Sequence, residues 1–192
     1  MQFPIRRIFI ALFVAMLAGS ASAQTAEGIV HWSAQGPATA KAGSQMAVIL
    51  KAVIQDGWHV YSISQMPGGP TRSVISVPPN QPFERDGSLT APLPHTGFDP
   101  NFNLETETYE GTVQFKLPIR VAKTAPAGAK KIAIDVLFQT CNDTTCLPPH
   151  TTHLVVPIRI AAASSGGATA PSAKPTAAVR VVEPTNRRSG RG

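Results

Sequence analysis

Thr112–Val121 reads TVQFKLPIRV. Val113, Phe115, Leu117, Ile119 and Val121 fall on one side of this stretch, and Thr112, Gln114, Lys116 and Arg120 on the other. Side chains alternate across a strand with a period of two, so the stretch predicts a β-strand with one buried face. Lys131–Phe138 repeats the pattern with Ile132, Ile134, Val136 and Phe138, and Thr152–Ile160 with Leu154, Val156, Ile158 and Ile160.

Towards the N-terminus, further strands are expected at Ile29–Gln35, Gln45–Ile54, Trp58–Ser62 and Arg72–Val77. Turn signals separate them: Lys41-Ala-Gly-Ser44, Asp56-Gly57, Pro67-Gly-Gly-Pro70 and, later, Pro126-Ala-Gly128. No window sustains a helical period. About seven or more short strands with Pro/Gly punctuation predict an all-β fold, an immunoglobulin-like antiparallel β-sandwich. Pro118 and Pro157 fall inside strands, which predicts edge strands or bulges there. The segment 83–110 has loop-like composition, and a loop of that length in a small domain is more often functional than idle.

Both ends of the chain read differently from this middle. Arg6 and Arg7 precede an apolar run from Ile8 to Ala18, and Ala21-Ser22-Ala23 offers small residues before Gln24. Residues 1–23 are therefore expected to be a cleaved secretory signal peptide, with an uncleaved anchor as the alternative and the export route, Sec or twin-arginine, open. Residues 161–192 are dominated by Ala, Ser, Gly, Pro and Thr, and predict a disordered, basic tail. The formal charge of +6 belongs to these ends. Residues 24–160 carry ten basic and ten acidic side chains, so the domain is neutral and gives no support for nucleic-acid binding. Its length is ample for a hydrophobic core without a covalent staple.

The two cysteines of the chain lie in Phe138–Pro149, FQTCNDTTCLPP. Cys141 and Cys146 flank a four-residue connection between two expected strands, a geometry that can close a disulfide. Export makes such a bond sustainable. As a staple it would close a very short loop, worth about 2 kcal/mol by chain entropy. Structural staple and redox pair stand level on composition alone. A metal clip is the third reading, since Cys141, Cys146, His150 and His153 form C-x4-C-x3-H-x2-H. Its spacing is poor for zinc, and His150 and His153 fall on opposite faces of a strand. Asn142-Asp-Thr144 is also a glycosylation sequon, a pattern common by chance.

A redox pair requires an accessible sulfur, a neighbour that tunes the thiolate, and shielding. Asp143 in the loop is a candidate to raise a thiol pKa. The stretch Phe98-Asp-Pro-Asn-Phe102 is a candidate cover, and Tyr61 and Phe138 are candidate walls.

FQTCNDTTCLPP resembles the signature of the N-terminal periplasmic domain of the DsbD thiol:disulfide interchange family, aromatic-x-x-Cys, a short loop, then Cys-x-Pro-Pro. Gly57-Trp-His-Val-Tyr-Ser62, Gly68-Gly-Pro-Thr71 and the stretch from Tyr109 to Pro118 (YEGTVQFKLP) are similar in content and order, so the resemblance spans residues 28–160. It implies an electron relay in the periplasm, from a membrane-embedded section to thioredoxin-fold or isomerase proteins, including those of cytochrome c biogenesis. It further implies that Cys146 bonds to the partner and Cys141 resolves the mixed disulfide. Phe102 would be the phenylalanine of the shielding cap, with Phe98 its competitor, and Tyr61 an aromatic of the wall. No cofactor is implied.

Two departures stand out. The inter-cysteine loop is one residue shorter than in the best-known member of that family. After Ile160 no multi-helix membrane section or thioredoxin domain follows, so the expectation is a free-standing domain served by a separate membrane-embedded thiol reductase.

Trp32 and Trp58 are expected in sheet or core packing. His59 is expected to face solvent or satisfy a strand hydrogen bond without a catalytic role, and Glu105, Glu107 and Glu110 to form a solvated face. The functional expectation is a redox relay, a component of protein-disulfide reduction, and not an enzyme with a small-molecule substrate. The alternative is a binding or copper/zinc-handling sandwich whose disulfide is structural.

Overall fold

The computed structural model describes residues 24–162. The expected signal peptide and residues 163–192 of the expected tail lie outside the described residues, while Ala161, expected to open the tail, is the last residue of a strand. One helical turn, α1 (Ala26–Ile29), opens the fold and is capped by Thr25, whose hydroxyl accepts from Gly28 N. Twelve strands follow: β1 (Val30–Gln35), β2 (Thr39–Lys41), β3 (Gln45–Ile54), β4 (His59–Tyr61), β5 (Val74–Ser76), β6 (Phe83–Arg85), β7 (His95–Asp99), β8 (Leu104–Tyr109), β9 (Thr112–Val121), β10 (Gly128–Phe138), β11 (Thr140–Cys141) and β12 (His150–Ala161). Apart from α1 the described residues are all-β, with an immunoglobulin-like sandwich as their architecture.

Two four-stranded sheets, ordered β1-β3-β9-β6 and β2-β12-β10-β5, supply the layers. The apolar sides of the period-two strands meet between them: Val48, Leu50, Phe115, Leu117 and Ile119 from the first, Ile132, Ile134, Val136, Phe138 and Ile160 from the second, each essentially inaccessible. Trp32 of β1 links the layers, with its ring 5.5 Å from Phe115 and 5.8 Å from Phe138. Trp58 is buried in the same core.

A third sheet, ordered β11-β4-β8-β7, continues the long strands beyond one end of the sandwich. β4 follows β3 through the Asp56-Gly57 turn, where Gly57 takes φ 78°, a conformation that costs glycine little. β8 runs into β9 through Gly111, and β10 passes into β11 at Gln139. The cysteines lie on this sheet.

Two expectations need correction. The strands that carry the prolines are not edges: β9 lies between β3 and β6, and β12 between β2 and β10. Each proline instead turns its missing N–H towards a three-residue neighbour, past that neighbour's end. Pro118 O accepts from Asp86 N just beyond β6, and Arg159, two residues after Pro157 and on the same side, donates to Ala38 O at the start of β2. The segment 83–110 is not a plain loop either. β7 and β8 form an antiparallel hairpin, His95↔Thr108 through Asp99↔Leu104, closed by a turn in which Asn103 takes φ 55°. Its alternation is present in LETETY, but the inward positions are Thr106 and Thr108, so hydrophobic periodicity does not reveal it.

Candidate redox site

Cys141 and Cys146 form a disulfide with their Cα atoms 4.1 Å apart. The loop between them is a tight hairpin. Asn142 N donates to Thr145 O, and the Asn142 side-chain carbonyl accepts from the backbone N–H groups of Thr144 and Thr145 and from the Thr144 hydroxyl. An asparagine that caps its own turn in this way holds the loop without help from the core. Leu147 N to Thr140 O closes the base. The two sulfurs are not equivalent: Cys141 is fully buried, while Cys146 is partly open to solvent.

β11 pairs with β4 so that Cys141 lies directly opposite His59 and Thr140 opposite Val60. The Thr140 hydroxyl donates to His59 O and locks this register. Directly opposed residues share a face, so Cys141 and His59 project from the same side of the sheet, followed by Tyr61 two residues along β4. The Tyr61 hydroxyl donates to Asp99 Oδ2 at 2.6 Å, and His59 Nε2 lies 3.3 Å from the same hydroxyl. Phe102, in the hairpin turn, stands edge-on to the Tyr61 ring at 5.9 Å.

The β7–β8 turn therefore leans over the face that carries the buried cysteine, held by two polar ties. Asp99, itself 4 % exposed, accepts from Tyr61 through one oxygen and from Asn101 N through the other. Asn101 Nδ2 donates to Asn142 O of the inter-cysteine loop at 2.8 Å. Between the hairpin and that loop lies a cleft of about 210 Å³, lined by His59, Asp99, Asn101, Thr108, Glu110 and Asp143 among others.

Electrostatics follow burial. Tyr61 is raised above its ordinary range, mainly by desolvation and then by its bond to the Asp99 carboxylate. His59 is lowered by burial, against opposing pulls from Asp99, Glu110 and Asp143. Further out, Glu107 is lowered because the hydroxyls of Ser64 and Ser62 donate to it, which ties β8 to the segment after β4. Glu107 thus departs from the solvated face expected for it.

Of the residues singled out by sequence, Cys141 is bonded to Cys146 and Tyr61 packs against Phe102, with Cys141 and Tyr61 on one face of the sheet. Phe98 is 65 % exposed. Asp143 is exposed at the cleft rim. Phe138 lies beneath the site in the core, against Trp32. His153 bonds Asp135, whereas His150 packs edge-on to Phe138 with Nε2 3.1 Å from Glu27, a close approach without hydrogen-bond alignment. Among the described residues, no group of three or more His, Cys, Asp or Glu is placed to hold a metal ion.

The bonds made by Asp99, Asn101 and Asn142, and the proximity of His59 to Cys141, were not among the expectations from sequence. The Asp-Pro-Asn turn signal at 99–101 was a usable clue; the pairing of His59 with Cys141 depends on register and left no trace in either segment alone.

A family model described as "Thiol:disulfide interchange protein DsbD, N-terminal" matches residues 27–158. Among solved structures, the N-terminal periplasmic domain of ScsB from Proteus mirabilis is similar at 15 % identity and a TM-score of 0.47, over 72 % of this chain and 49 % of that one. A family 123 glycoside hydrolase from Clostridium perfringens is similar at 7 % identity and a TM-score of 0.33, over 68 % and 27 % of the two chains. No curated protein matches the sequence.

Proposed function

The chain belongs to the family of the DsbD N-terminal domain, and from that membership we propose that it is a periplasmic thiol:disulfide exchange relay, carrying electrons from a membrane-embedded thiol reductase to thioredoxin-fold partners. The observation that carries this reading is the inequality of the two sulfurs across one short bond: Cys141 is inaccessible and Cys146 is partly open. A pair built in this way has one sulfur for a partner to reach and one held in reserve.

In the reducing direction, the donor's thiolate attacks Cys146 Sγ. The Cys141–Cys146 bond breaks, and Cys141 leaves as the thiolate and takes a proton. A second donor thiolate releases the donor as a disulfide and leaves Cys146 reduced. In the delivering direction, the Cys146 thiolate attacks the partner's disulfide, a mixed disulfide forms, and one partner thiolate leaves. Cys141 then attacks Cys146 Sγ, restores the internal bond and expels the second partner thiolate. Two electrons and two protons have then passed to the partner. Phe102 and Tyr61 serve as the cover and wall that keep Cys141 from other oxidants, and the β7–β8 hairpin admits the partner to Cys146. The nucleophile is a protein thiol throughout, and no cofactor or nucleic acid takes part.

The test is the reduction potential of the pair together with trapping. A relay has a potential above the roughly −300 mV bound typical of structural bridges. Cys141→Ala, incubated with a purified thioredoxin-fold disulfide oxidoreductase, accumulates a mixed disulfide through Cys146. A potential well below that bound, with no mixed disulfide formed, makes the bond a structural staple.

A further inference from the structure

We propose that His59 accepts the proton of the buried Cys141 thiol in the step that restores the internal disulfide. This rests on the exchange reading above and adds to it a residue with an acid–base role.

A thiol with no exposure has no water to take its proton, and burial favours the neutral form, so resolution by Cys141 requires a base from the protein. His59 is the residue opposite Cys141 in the β4–β11 pair, on the same face of the sheet. Its tautomer is set by its neighbours. The Tyr61 proton is committed to Asp99, which leaves the Tyr61 oxygen as an acceptor for His59 Nε2–H. The lone pair of the neutral ring is then on Nδ1, and among the described residues no hydrogen bond engages that atom. The charged or titratable groups facing the ring are Tyr61 on its own strand, Asp99 on β7, Glu110 beyond β8 and Asp143 in the inter-cysteine loop. His95 completes the cleft they share. The three carboxylates sustain an imidazolium when it forms, while burial keeps the resting ring neutral and able to act as a base near neutral pH. In the closing step the Cys141 S–H proton passes to Nδ1, and the thiolate attacks Cys146 Sγ. The mixed disulfide breaks, and the departing partner thiolate takes the proton from the imidazolium, which returns the ring to its neutral form.

The test isolates that step. Reduced protein is glutathionylated at Cys146 with glutathione 2-pyridyl disulfide at pH 4, then jumped to pH 6–9, and glutathione release is followed by mass spectrometry. For the wild-type protein, the rate is expected to be nearly flat between about pH 6.5 and 8. In His59→Gln, which keeps a donor for Tyr61 but has no base, release slows about 100-fold at pH 7 and climbs roughly tenfold per pH unit. His59→Phe gives the same profile, and circular dichroism and thermal unfolding report whether each variant is folded. A wild-type profile in His59→Gln overturns the proposal, because His59 then acts only by holding Tyr61. If the wild-type protein releases no glutathione at any pH, the exchange reading itself falls and the role of His59 falls with it.

Discussion

The side-chain amide of Asn101 donates to the carbonyl of Asn142 at 2.8 Å, and this one bond joins the hairpin turn that leans over the site to the loop between the cysteines. Asn101 is exposed, so the contact competes with water and is worth about 0.5–1.5 kcal/mol. Asn101→Ala is therefore expected to speed reduction of Cys141–Cys146 by dithiothreitol about 2- to 10-fold while barely changing the melting temperature. Stopped-flow reduction kinetics measure this; an unchanged rate means the hairpin does not limit access.

Tyr61→Phe removes the hydroxyl that serves Asp99 and His59. Asp99 is left as a buried carboxylate short of a donor, at a cost of about 1–3 kcal/mol. Chemical denaturation should report that loss with an unchanged m-value.

After full reduction, Cys146 should be alkylated by iodoacetamide at least about ten times faster than Cys141, because only Cys146 has exposed surface. Peptide mapping of timed samples gives the ratio directly. Equal rates would mean that Cys141 becomes exposed when the bond opens.

The cysteines themselves carry little of the stability. A double Cys141→Ala, Cys146→Ala variant should remain folded and lose about 2 kcal/mol, since the loop closed by the bond is so short. Phe115→Ala, by contrast, empties a fully buried site between the layers and is expected to cost about 3–5 kcal/mol. Urea unfolding ranks the two, and the opposite order would assign the disulfide a structural role.

Acid should weaken the fold in two stages. His59 is lowered by burial, so the unfolded chain binds its proton more tightly and stability falls as pH drops below the ordinary histidine value of 6.5. Asp86 is lowered by the Arg120 guanidinium and then by Gln45, and Glu107 by Ser64 and Ser62. Their contributions are present above the ordinary values of 3.8 and 4.5 and are lost as pH falls through their folded values. Glu107→Gln should flatten the second stage and leave the first untouched, as read from denaturation midpoints at pH 3–7.

The alternation of Thr112–Val121, Lys131–Phe138 and Thr152–Ile160 determined the sandwich by itself, because a strand with one buried face records that face in every second residue. Gln45–Ile54 and Thr112–Val121 even start and end where the strands do. The Cys-x-Pro-Pro stretch likewise marked the family. Tertiary structure decided the rest. The β7–β8 hairpin buries threonines instead of aliphatic residues, so its strands left no hydrophobic period. The prolines of β9 and β12 are tolerated because two neighbouring strands stop short, a fact held in other segments of the chain. Which sulfur is buried, and that His59 stands opposite it, follow from the register between segments about eighty residues apart. Register is a property of a pair of strands, and neither strand's sequence contains it alone.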